Sequence, residues 1–349
     1  MTLIKDVQSW IEGDVSALVL RENLIPVEGK EAPFFPPTFA GSSSEDVPYC
    51  IDVMKDGTRV CLIDTVGSQA NRMEPIFMQA PYDKLIPQIT INAGQDKINL
   101  CKVGHRAADA FLRNSSISGD IKKALVNMQE KNDALGLAKI APTSLVFGMW
   151  DSRDTQVKTP RIVSSVIRAY DIDLLSRSAQ YFPPVDYRED TMLGEYKNKR
   201  EKDVRSELGY NEIPSTNTHG GIIAHGVIRR DVVVNFAALR KIRSADSDQT
   251  ATLQKYILGL SLVAASSIKE WDLRQGCLLT RDPSSEESGW ESVRPDGKRN
   301  TMNIEHDEVL KYAQKAADEF TVGTNRDDVR FIPNNAKKEI ESKQKEKKE

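Results

Sequence analysis

The sequence is poor in the residues and motifs that mark most enzymes. It holds 4 histidines and 4 cysteines in 349 residues. The cysteines (Cys50, Cys61, Cys101, Cys277) are scattered, with no C-x-x-C pair. That excludes a disulfide frame or zinc knuckle and reads as reduced, mostly buried thiols in a cytoplasmic protein. There is no Walker A loop, no G-x-G-x-x-G, no H-E-x-x-H and no G-x-S-x-G, so the common nucleotide, zinc-protease and serine-hydrolase signatures are missing. No apolar run approaches the roughly 20 residues of a membrane span, and the first residues carry no basic-then-apolar signal. Positive charge is not in excess: 48 Lys and Arg face 51 Asp and Glu, for a net charge of −3 and a pI near 6.0. Bulk charge therefore does not draw the chain to nucleic acid, and any such binding must use a local basic groove.

What is present is a soluble globular composition, 39% apolar and 28% charged, in a chain long enough to bury a large core. The pattern suggests an α+β domain over residues 1–330, elaborated by insertions. Leu3, Ile4, Val7, Trp10 and Ile11 repeat at helical spacing. A strand is expected over 16–27, a proline-rich loop over 33–39, and a hairpin at 49–64 around Lys55-Asp56-Gly57. A helix follows at 65–79, a hairpin at 89–100, helical spacing at 105–113 and a helix at 120–133. Strands are expected at 144–150, 162–172, 222–239 and 271–279, with helices at 248–266 and 305–320. Residues 181–218 are polar and hold Lys197, Lys199, Arg200, Lys202 and Arg205, which reads as a projecting arm. Residues 331–349 read as a charged disordered tail. The element order is compatible with a βαββαβ, ferredoxin-like core of the RNA-recognition type.

The stretch from Thr143 to Tyr170 carries the chemistry. In a strand over 162–172, Ser164, Val166, Arg168 and Tyr170 share one face, and Val163, Ser165, Ile167 and Ala169 share the other. Arg153, Lys158 and Arg161 precede it, so a basic loop beside an Arg/Tyr face forms a strand platform suited to phosphates and bases. The plainer alternative is a hairpin with ordinary surface charges. Ser68, Asn71 and Arg72 sit near the first turn of the 65–79 helix, where free N–H groups can receive a phosphate, or where Ser68 simply caps the helix. The arm cations read as a nucleic-acid clamp or as a salt-bridged surface helix, since Glu195, Glu201, Asp203 and Glu207 are interleaved. His219-Gly220-Gly221 permits close backbone approach. His306-Asp307 is a bare dipeptide without further ligands, so no metal site and no cofactor are expected. Asp151 and Asp154 are the one candidate pair for Mg²⁺-dependent RNA cleavage, with loop ordering the preferred role.

The runs at 66–77 (VGSQANRMEPIF), 105–116 (HRAADAFLRNSS) and 144–172 (SLVFGMWDSRDTQVKTPRIVSSVIRAYDI) together resemble one family. It is the RAMP-superfamily, Cas-seven-like backbone subunit of the type I-G (formerly I-U) CRISPR Cascade effector complex. The resemblance runs from about residue 16 to about 282. It implies a palm of the RNA-recognition type with inserted thumb and fingers, the thumb being 181–218. It also implies a non-catalytic protein that polymerises with sister copies along guide RNA (crRNA) and presents the guide to target DNA beside the other effector subunits. The positions that match are Ser68, Asn71, Arg72, His105, Arg106, Arg153, Lys158, Arg161, Ser164, Ser165 and Arg168. With Lys197, Lys199, Arg200 and His219 they are the expected RNA contacts. Relatives in type III systems cut their target, which keeps a metal-dependent nuclease using Asp151 and Asp154 as the alternative, with Asp171 a further candidate.

Overall fold

Alternation of side chains dictates the central sheet. In β1 (Ala17–Pro26), Leu18, Leu20, Glu22 and Leu24 are buried while Ala17, Val19 and Arg21 are half-exposed. The same period of two runs through β8 (Val163–Tyr170) and β11 (Ile228–Asn235), each alternately buried and half-exposed. The computed structural model describes residues 7–39, 48–285 and 288–346. Leu3 and Ile4 lie outside them, whereas Val7, Trp10 and Ile11 are buried on a short helical turn.

Between β1 and β8 come the hairpin β2 (Cys50–Val53) and β3 (Arg59–Asp64), helix α1 (Val66–Met73), the hairpin β4 (Ile89–Ala93) and β5 (Asp96–Asn99), and helix α2 (Ser118–Lys131). The two-residue strands β6 (Met149–Trp150) and β7 (Lys158–Thr159) follow. Beyond β8 a ribbon of β9 (Ile172–Tyr181) and β10 (Ile213–Ala224) projects, with α3 (Lys199–Glu207) between its strands. The chain then forms β11, helix α4 (Ser247–Ser266), the hairpin β12 (Trp271–Arg274) and β13 (Cys277–Arg281), and the hairpin β14 (Gly289–Val293) and β15 (Arg299–Met302). Helix α5 (His306–Phe320), strand β16 (Arg326–Arg330) and helix α6 (Pro333–Glu346) close it. The main sheet runs β12-β13-β1-β11-β8-β3-β2, each neighbouring pair antiparallel, and β14 joins the same edge of β1 as β13.

One sheet face is covered. From Leu253 onward every residue of helix α4 except half-exposed Lys255 is buried, as in a helix held between two layers. It packs on the sheet and on the alanine-rich face of α5, where Tyr256 stacks on Phe320 at 4.3 Å. At the far end Phe34, Trp271, Ile222 and Ala224 cover the same face. A polar row separates the two apolar clusters. Arg230, with no exposure, donates to Glu22, to Ser165 Oγ (3.0 Å) and to the Ala265 carbonyl (3.1 Å), and lies over Trp271. Ser165 donates to Gln69 (2.6 Å), Gln69 to Asp64 (2.6 Å), and Asp64 accepts from Arg72 (3.0 Å). Side-chain bonds thus tie β1, β11, β8, α1 and β3 into one block, every buried charge in it paired.

Three expectations are corrected. Residues 143–146 form a helical turn instead of a strand, because a short buried apolar run has no period to distinguish the two. The projecting ribbon spans 172–224, wider than 181–218, because most side chains of β9 are exposed from Asp173 onward. Where a disordered tail was expected from 331, α6 is helical through Glu346 and is held by Glu339, which accepts from Arg113 (2.9 Å) and Asn114 (3.1 Å).

Candidate nucleic-acid interface

Three separated pieces of sequence converge where α1 begins. Thr65 caps the helix, its hydroxyl accepting from Ser68 N–H at 3.1 Å, so Ser68 is an inner position and not the cap. Arg161, just before β8, donates to the Val66 carbonyl at 3.2 Å and so lies against the start of α1. Arg106 donates to the Gly148 carbonyl at 3.3 Å, bringing the 105–108 turn to the same place. Gly148 takes φ +76°, and a Cβ there would meet Arg161 Cγ at 2.8 Å, so glycine is required for the two chains to pass. Asn71, His105, Lys158 and Arg161 are exposed around this junction, and Ser68 is half-buried. Partial burial of its guanidinium lowers the Arg161 pKa, and the nearby Arg106 charge adds to this. Like charge gathered here favours an anion.

Other expected contacts are built into the protein. Ser165 is fully buried and holds Gln69 and Arg230, so it offers no surface to a strand of RNA. Arg106 is 5% exposed and paired with Glu74 at 2.8 Å. Burial outweighs Arg106 and raises the Glu74 carboxyl to about 7. Arg72 donates to Asp64 and to the carbonyls of Asp272 (3.2 Å) and Leu273 (2.8 Å), tying α1 to β12. These are corrections: Ser165 and Arg106 sit on the packed side of their elements, closed off from a ligand, while half-exposed Arg72 is held by its three acceptors.

The uncovered sheet face is a second surface. Ser164, Val166, Arg168 and Tyr170 lie on it, as strand alternation predicts. Three other arginines at this face are paired: Arg21 with Glu291 (3.1 Å), Arg229 with Asp231 (3.0 Å), and Arg299 with Glu291 (2.9 Å). Arg229 also lies 5.3 Å from the Tyr170 ring centroid. The Arg168 side chain makes no hydrogen bond or ion pair among the described residues. On the arm, Lys197, Lys199 and Arg200 are exposed. Arg205 instead turns inward to Glu201 (2.6 Å) and the Gly194 carbonyl (2.7 Å), as the salt-bridged alternative has it. His219 is exposed on β10 and meets Tyr49 edge-on at 5.7 Å. Arg153 is exposed in the loop between β6 and β7.

Asp151 orders that loop. It is 4% exposed, and its carboxylate accepts from Thr155 N–H (2.9 Å), Thr155 Oγ (2.7 Å) and Asp154 N–H (3.3 Å). Asp154 pairs with Lys122 at 2.8 Å. Among the described residues no group of three or more His, Cys, Asp or Glu is placed to hold a metal. His306 is set between Tyr82 (2.7 Å) and Ser266 (2.9 Å), and burial lowers its pKa. No helix of the described residues is long and apolar enough to cross a membrane. Sequence reading missed Trp150, which stands 60% exposed at this junction. The signal for it is strand alternation, which turns it away from buried Met149. Tyr170 and Arg229 were separable only through sheet pairing.

Residues 18–174 match a family described as CRISPR-associated protein GSU0053. The matched stretch is shorter than half the chain and is similar to that family. It contains all three converging pieces and ends within the first residues of the ribbon. No curated protein matches the chain.

Proposed function

We propose that this is a guide-RNA-binding backbone subunit of a CRISPR interference complex, one that grips RNA by its sugar-phosphate backbone and repeats along it. The observation that carries the reading is the family similarity falling on the three pieces that meet at the start of α1, where Lys158 and Arg161 stand exposed. Lys158, Arg161, His105 and Asn71 on that junction, Arg168 on the open sheet face, and Lys197, Lys199 and Arg200 on the arm are the proposed contacts. Phosphate contacts position a strand without reading it, so sequence selection is left to base pairing with the target. The strand sequence supports a palm of the RNA-recognition type. Helical segments follow β1 and β11, and β13-β1-β11-β8 is the order in which a βαββαβ chain lays its fourth, first, third and second strands. In this account the protein is not itself a nuclease, and the arm is its thumb. The engaged carboxylates of Asp151 and Asp154 favour loop ordering over cleavage.

The test is binding of single-stranded RNA followed by anisotropy across salt concentrations. Arg168→Ala and Arg161→Ala should each weaken binding equally for unrelated RNA sequences and lower the salt slope by about 1. Loss confined to one sequence would contradict backbone gripping.

A further inference from the structure

Four tryptophans divide sharply by environment. Trp10, Trp271 and Trp290 are 4%, 2% and 5% exposed, while Trp150 is 60% exposed. Nothing beneath Trp150 is loose. Its neighbour Met149 is buried and donates its N–H to Thr159 Oγ at 2.8 Å, and Thr159 in turn donates to the Ser144 carbonyl at 2.8 Å. The next residue, Asp151, donates its N–H to the Val157 carbonyl at 2.9 Å, and its carboxylate closes the loop. A two-strand clip therefore holds a large aromatic ring out in solvent. Burying such a ring is ordinarily favourable, so its exposure on a rigid mount points to a ligand.

The surroundings say which kind. Lys158 is paired directly across from Trp150, its Nζ 5.9 Å from the ring centroid. That is the outer limit of a cation–π contact, which leaves the ring open to stack. Arg161 follows two residues past buried Thr159, beside Gly148, and makes no ion pair among the described residues. An aromatic face flanked by cations lacking acidic partners suits an unpaired base with its phosphates. An apolar protein surface would leave those charges uncompensated.

We propose that Trp150 is a stacking platform for one unpaired nucleobase, with Lys158 and Arg161 on the adjoining phosphates. This rests on the RNA-binding reading above and adds to it a contact to a base, made without reading its identity. Stacking neutralises no phosphate, so Trp150 should contribute affinity that salt does not screen, unlike the neighbouring cations.

The experiment adds oligo(A) RNA to the full chain and follows tryptophan emission, acrylamide quenching and the anisotropy of labelled RNA together. Binding should quench the emission and shield the one exposed tryptophan from acrylamide. Trp150→Ala should weaken binding about ten- to hundred-fold with an unchanged salt slope, the size of one base–aromatic stack, while Trp150→Phe keeps most of the affinity. An abasic sugar-phosphate oligomer should bind both forms alike. Circular dichroism of Trp150→Ala should be that of the parent. If RNA binds with a normal salt slope but emission and Trp150→Ala affinity are unmoved, the platform is wrong and the RNA reading stands. If no RNA binds at all, the RNA reading fails and the platform with it.

Discussion

Arg229 and Arg230 are neighbours in sequence with opposite fates. Strand alternation puts one on each face of β11, so Arg229 joins the open surface while Arg230 is sealed between two apolar clusters. Arg230 persists there because Glu22, Ser165 and the Ala265 carbonyl receive its donors. Replacing it by Met leaves buried Glu22 with exposed Arg281 as its remaining ion-pair partner and should lower stability by about 3 kcal/mol in urea unfolding, the low end for removing one member of a buried pair. A loss as small as that of an exposed substitution would contradict the account. His225 offers a titration at the base of the arm. Its hydrogen bond to Asp173 (2.9 Å) raises its pKa above the ordinary 6.5, with Asp171 and Glu31 adding attraction. A base with a raised folded pKa gains from the contact below about pH 6.5 and loses that gain as pH climbs through the raised value. Nuclear magnetic resonance should show His225 titrating above 6.5, and Asp173→Asn should bring it back down; an unmoved midpoint would remove Asp173 as the cause.

At the scale of elements, packing decides more than propensity. Helices α4 and α5 approach closely at Gly259, where a Cβ would lie 3.0 Å from Ala313 Cα. Gly259→Val pushes further atoms into that gap and should destabilise by about 1–3 kcal/mol, whereas Gly259→Ala sets a smaller intrusion against up to about 1 kcal/mol of helix propensity. Thermal unfolding of the pair separates the effects, and equal midpoints would show that the helices are free to part. Helices α2, α4 and α5 and the hairpins at 50–64 and 89–99 were legible in the sequence, because their apolar spacing or turn residues act locally. The faces of β8 were legible for the same reason. The 143–146 turn was not, and neither was the ribbon's true start, where no turn signal divides a core strand from its projecting continuation.

For the whole molecule, the candidate interface was half legible. Residue types named Lys158, Arg161 and Arg168, but types alone cannot tell an outward arginine from one that closes a core, as Arg72 and Arg106 do. That distinction depends on which elements cover a face, a property of the complete chain. The junction of α1, the 105–108 turn and the β6–β7 clip likewise exists only once distant segments pack together. With an overall charge of −3, the proposed RNA binding has to come from this arrangement and not from bulk attraction. The most direct measurement is to purify the protein from cells carrying a CRISPR array and to sequence the nucleic acid that accompanies it. The account predicts RNA of guide length with mixed spacer sequences, eluting with several copies of the chain. A monomer free of RNA would contradict it.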